Sequence, residues 1–174
     1  LLLVGEALRD GRGLPGDEVA ARAWFRRMAE AGHASATPRL AAMLRDGRGG
    51  PSDAVEATVW LRRGADAGCA EAMFELGQAL EAGSGTEEDL AEALRWFRAA
   101  ADAGWPRACG YLGAVLLHGA ARFGLERDHA RAFELFVAAA EGGDVPSLTQ
   151  VGVCFALGEG APKDPAEARR WLER

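Results

Sequence analysis

Three histidines, three cysteines and two glycine-rich loops are the residues of this chain that could do chemistry. His33, His118 and His129 could share a metal if two stood one helical turn apart, but no pair has that spacing. Cys69, Cys109 and Cys154 have no metal-type spacing and no nearby base to activate them. Their odd number makes a disulfide framework improbable, while one bridge between two of them stays open. Gly47-Arg48-Gly49 and Gly83-Ser84-Gly85 look like phosphate loops. They follow a helical pattern rather than a strand and lack the Lys-Ser/Thr pair that would hold phosphate, so they read as helix-ending turns. The acidic run Glu87-Glu88-Asp89 lacks calcium-loop spacing and suits the positive end of a helix dipole. The sequence therefore predicts no catalytic residue, no cofactor and no metal ligand, and the chain reads as a non-enzyme.

Composition narrows the alternatives. The chain has 174 residues, is 49% hydrophobic and carries a formal charge of -6. One elongated domain over residues 1–174 with a continuous core is expected. The acidic balance argues against nucleic acid and anionic membrane, which select clustered positive charge. No apolar run reaches membrane-spanning length, and Leu1 to Val4 is too short for a signal-peptide core. Lys163 is the single lysine among 20 basic residues, the codon bias of a GC-rich, bacterial genome. Free thiols fit a reducing compartment such as the cytoplasm; a periplasmic or envelope location would require a removed leader.

The elements that carry these residues follow from a repeat. Trp24, Trp60 and Trp96 stand 36 apart, as do Gly11, Gly47, Gly83 and Gly119, and Gly32, Gly68 and Gly104. Gly5, Ala41, Gly77 and Gly113 share another position. A period in this range marks a stacked array. In the third unit, Ala70 to Ala82 has the apolar spacing of a helix, with Ala72, Leu76, Gly77 and Leu80 on one face. Gly83 ends it. A second helix opens at Asp89, a good N-cap, with Glu92 placed to complete a capping box. The second helices of all five units open at Asp17, Asp53, Asp89, Asp128 and Asp164. Next come Ala21, Ala57, Ala93, Ala132 and Ala168, then Trp24, Trp60, Trp96, Leu135 and Trp171. First helices supply Leu8, Leu44, Leu80, Leu116 and Phe155. Gly77 beside Ala93 lets two helices approach, and the tryptophans at their fixed positions read as core. A single pair cannot cover its own apolar face, so each unit needs a neighbour.

Two units depart from the frame. Gly119 to Asp128 encloses eight residues where Gly83 to Asp89 encloses five. The same unit has Leu135 in place of Trp, and Phe123 in its longer loop either packs or is displayed. In the second unit, Pro38 predicts a late helix start with Thr37 as cap.

This pattern resembles the Sel-1-like repeat, within the tetratricopeptide-like α/α superfamily. The matching residues of unit three are Ala72, Leu76-Gly77, Leu80, Gly83, Gly85, Asp89, Ala93, Trp96, Ala100-Ala101 and Gly104. The usual basic residue before the second-helix Ala is Ala20, Glu56, Glu92, Arg131 and Glu167 here, at an expected surface position. The resemblance implies an all-α, right-handed α/α superhelix, a solenoid with repeats near 1–32, 33–68, 69–104, 105–143 and 144–174. The first and last are cut short, as in an excerpt of a longer array. It also implies a non-catalytic scaffold or adaptor that binds a protein or peptide partner along a concave groove lined by first helices. Arg45, Phe74, Gln78, Arg107 and Leu117 are the candidate groove residues, with Phe74 as an aromatic anchor. The alternative is a structural or regulatory region of a larger multidomain enzyme or envelope or signalling protein.

Overall fold

The computed structural model describes Glu6, residues 17–119 and residues 121–174. Gly5, Leu8 and Gly11, expected on the first helix of unit one, lie outside the described residues. Among the described residues there are nine α-helices and no strand. They are α1 (Glu18–Glu30), α2 (Thr37–Asp46), α3 (Ala54–Asp66), α4 (Ala70–Ala82) and α5 (Leu90–Asp102). Then follow α6 (Pro106–His118), α7 (His129–Glu141), α8 (Val145–Leu157) and α9 (Pro165–Leu172). First and second helices alternate: α2, α4, α6 and α8 are first, and α1, α3, α5, α7 and α9 are second. The chain forms two compact units, residues 1–96 and 97–174, with the division inside α5.

Every second helix begins as its aspartate predicts. The carboxylates of Asp17, Asp53, Asp89, Asp128 and Asp164 accept from backbone N–H groups of the first turn at 2.8–3.0 Å. These donors have no partner within the helix, so each cap contributes about 1 kcal/mol. The other half of the expected capping box is replaced. The N–H of Asp53 donates to the Leu44 carbonyl at 2.8 Å, Asp89 to Leu80 at 3.1 Å, Asp128 to Leu116 at 2.9 Å and Asp164 to Phe155 at 2.9 Å. Each cap thus ties its helix to the first helix before it. The bond survives the longer loop of unit four.

The turn glycines are set by approach as much as by backbone angle. Gly85 has φ +71, and a Cβ there would lie 2.0 Å from the Ala54 carbonyl oxygen at the start of α3. Gly113 in α6 faces Phe136 and the Ala132 carbonyl, where a Cβ would sit 2.9 and 3.2 Å away. The second-helix alanines Ala21, Ala57, Ala93, Ala132 and Ala168 are all buried, as the spacing of small residues requires.

Two sequence expectations change, and of the two readings open for Phe123 the packed one is found. The deepest aromatic position is the one after the tryptophan position, which Leu135 fills in the fourth repeat: Phe25, Phe97 and Phe136 are at most 1% exposed, and Leu61 is also buried. Trp60 is buried, but Trp24, Trp96 and Trp171 are only half-buried. Thr37 is the first residue of α2 rather than its side-chain cap. Its hydroxyl donates to the Ala34 carbonyl of the 3₁₀ turn Ala34–Ala36, at 2.8 Å. Phe123 packs, half-buried, edge-on to Phe97 with ring centroids 6.4 Å apart.

Candidate partner-binding faces

The first helices place the sequence-predicted groove residues unequally. Within residues 1–96, Arg45 on α2 and Gln78 on α4 line one cleft of about 300 Å³. Ala41, Ala79, Thr58 and Glu75 are among the other residues that line it. The Arg45 side chain is half-exposed, 3.3 Å from Asp46 and 3.8 Å from Glu75. The second ion pair is long, leaving guanidinium donors available to a carboxylate or carbonyl arriving from outside. Phe74 is corrected as an exposed anchor: it is 3% exposed, so its ring contributes to packing. In the second unit, Arg107 is exposed on α6. Leu117 is corrected too. It belongs to a core cluster with Ala132, Phe136, Val151 and Cys154, because α8 covers the face that carries it.

A feature missed in the sequence links successive second helices. Arg26 on α1 donates to Glu56 on α3 at 3.0 Å, and Glu56 accepts the Trp60 indole N–H at 3.0 Å. One repeat on, Arg62 pairs with Glu92 at 2.5 Å, and Glu92 accepts from Trp96 at 3.1 Å. The guanidiniums are the main reason that the Glu56 and Glu92 carboxyls are held below the ordinary carboxylate range. The Arg26 and Arg62 guanidiniums are stabilised in turn. The signal was in the sequence: a glutamate recurs four residues before the tryptophan, where the repeat usually has a basic residue.

Burial pushes the Cys109 and Cys154 thiols up, away from the thiolate form a nucleophile or metal ligand needs. Among the described residues, no cluster of His, Cys, Asp and Glu could hold a metal ion. No described helix is long and apolar enough to cross a membrane.

The Sel1 repeat model matches residues 1–33, 35–69, 70–105, 106–144 and 145–174. The chain belongs to the Sel1 repeat family. Its fold is similar to that of a Sel1 repeat protein from Oxalobacter formigenes, with a TM-score of 0.88 and 27% identity over 99% of this chain and 69% of that one. It is also similar to a protective antigen of uropathogenic Escherichia coli strains displaying an SLR fold, with a TM-score of 0.83 and 32% identity. That match covers 99% of this chain and 36% of the antigen. An immunity protein from Pseudomonas aeruginosa shares the fold with a TM-score of 0.68 at 20% identity, over 98% of this chain and 61% of that one. No curated protein matches. The all-α solenoid of helical repeats expected from the sequence is the fold observed. Sel1 repeats are generally protein-interaction scaffolds and typically non-catalytic.

Proposed function

We propose that this Sel1 repeat chain is a non-catalytic scaffold that holds an extended segment of a protein partner against its first helices, with the cleft at Arg45 and Gln78 as one contact. The observation that carries this reading is the cleft itself. It joins a charged donor, a neutral amide and a wall of Ala41, Ala79 and Thr58 on successive repeats. A few directional polar groups on an apolar wall suit side-chain recognition of a peptide. Arg107, exposed on α6, is a further candidate contact in the second unit. Phe74 and Leu117 are buried and stand outside the contact surface.

A photo-crosslinking residue at position 78 in the full chain, exposed to extract of the native cell, tests the reading. A partner crosslinked by the otherwise wild-type chain and lost on Arg45→Glu is the expected result. Equal capture by a crosslinker at the exposed Val55, or capture insensitive to Arg45→Glu, would move binding to another face.

A further inference from the structure

The Arg–Glu–Trp link described above is broken after the third repeat although its arginine is kept, and the break leaves a cleft. Arg98 stands two residues after Trp96, as Arg62 follows Trp60 and Arg26 follows Trp24. The residue that should receive it is Arg131, where the two preceding repeats have Glu56 and Glu92. The residue that should fill the space beside it is Leu135, where they have Trp60 and Trp96. The carboxylate and the indole are lost together.

The result is a cavity of about 300 Å³ within residues 97–174, with Arg98 and Arg131 at its rim. Its floor is apolar: Leu112 is buried, and Leu116, Leu125 and Leu135 are half-buried. Leu125 comes from the lengthened loop between α6 and α7, so the insertion and the two substitutions build the same cleft. The charges also sort. Arg131 is held by Glu134 at 2.6 Å. The Asp128 carboxylate is engaged as the cap of α7 at 2.9 Å. Asp102 is exposed on the rim one turn beyond Arg98. Arg98 itself makes no hydrogen bond or ion pair among the described residues.

We propose that this cleft receives a helical segment of a protein partner that presents an acidic residue to Arg98 and, one turn on, a tryptophan side chain to the leucine floor. The occupant supplies from outside what the earlier repeats supply from within. Arg26 and Arg62 show what this frame position binds: a carboxylate whose neighbour is an indole. A volume of about 300 Å³ is at the small end of ligand sites, right for one large side chain and not for a folded domain. This inference rests on the scaffold reading and names the chemistry of one partner contact.

The test uses the full chain and a short, capped, fluorescently labelled helical peptide with Glu and Trp spaced as Glu92 and Trp96 are. Binding is read by anisotropy. The expected result is saturable binding that weakens by about tenfold or more when the peptide's Glu becomes Gln or its Trp becomes Ala. Arg98→Ala should weaken it to the same extent and leave the thermal transition in place, since Arg98 is exposed. Arg131→Glu combined with Leu135→Trp rebuilds the internal link, so it should raise the melting temperature and abolish peptide binding. No binding of the probe, or equal binding by wild type, Arg98→Ala and the double variant, overturns the proposal. If the wild-type chain fails to bind the probe while its position 78 still crosslinks a partner, the cleft assignment falls and the scaffold reading stands. Loss of both overturns both.

Discussion

Replacing Gly85 by alanine separates two reasons for a glycine that the sequence cannot tell apart. Both Gly85 and Gly104 have a left-handed backbone, with φ of +71 and +78. An alanine in that region costs about 1–2 kcal/mol. At Gly104 that is the whole cost, because nothing lies within 4 Å of the added Cβ. At Gly85 the Cβ would also lie 2.0 Å from the Ala54 carbonyl oxygen and 2.8 Å from the Val55 nitrogen. Those are backbone atoms at the capped start of α3 and cannot swing aside, so the turn must lift away. Displacing packed structure costs about 1–3 kcal/mol. Gly85→Ala should therefore lose about 2–5 kcal/mol, and Gly104→Ala about 1–2 kcal/mol. For a chain of this length each kcal/mol lowers Tm by about 2–4 °C. Urea unfolding followed by circular dichroism gives both values. Equal losses for the two variants would show that the turn does not sit on α3 as described.

Trp60→Ala should cost about 3–5 kcal/mol, since it removes a buried ring and leaves Glu56 without its indole donor; a loss under about 1 kcal/mol in the same urea assay would mean the ring is not part of the core. The pH dependence of stability follows from Glu56 and Glu92. Their folded carboxyls bind protons less readily than unfolded ones, so their contribution is complete above the ordinary carboxylate range and fades as pH falls through the lowered values. Glu56→Gln with Glu92→Gln should flatten the loss of stability as pH falls below about 5, and an acid limb as steep as wild type would show that these pairs do not couple to folding. Because the groups are partly exposed, each pair stabilises by no more than about 1 kcal/mol at neutral pH.

The parts of the fold that were readable from sequence are those set by local chemistry repeated in register. Asp53 and Asp89 announce helix starts because a carboxylate satisfies the backbone donors three residues on, wherever it occurs. Gly83 announces an end for an equally local reason. What escaped depends on which neighbour covers a face. Periodicity placed Trp60 and Leu61 side by side, and only packing decides that the second position, filled by Phe25, Phe97 and Phe136, lies deepest. Phe74 and Leu117 sit on predicted inward helix faces, yet adjoining structure buries them. The link from Arg62 to Glu92 crosses 30 residues and shows in sequence only when two frame positions are compared together. That comparison, applied to Arg131 and Leu135, is the one that exposes the cleft.

The hydrogen bonds from the N–H groups of Asp53, Asp89, Asp128 and Asp164 to the preceding first helix make the loop between them an independent closed segment. Its ends are pinned whatever its contents. Lengthening it from five residues to the eight of unit four raises the closure entropy by only about 0.4 kcal/mol, and the Asp128 N–H still meets the Leu116 carbonyl at 2.9 Å. New surface can thus be grafted onto one repeat without re-registering the others. Unit four, whose loop contributes Leu125 and Phe123, is an instance of a repeat protein diversifying at its seams while its helices keep their frame.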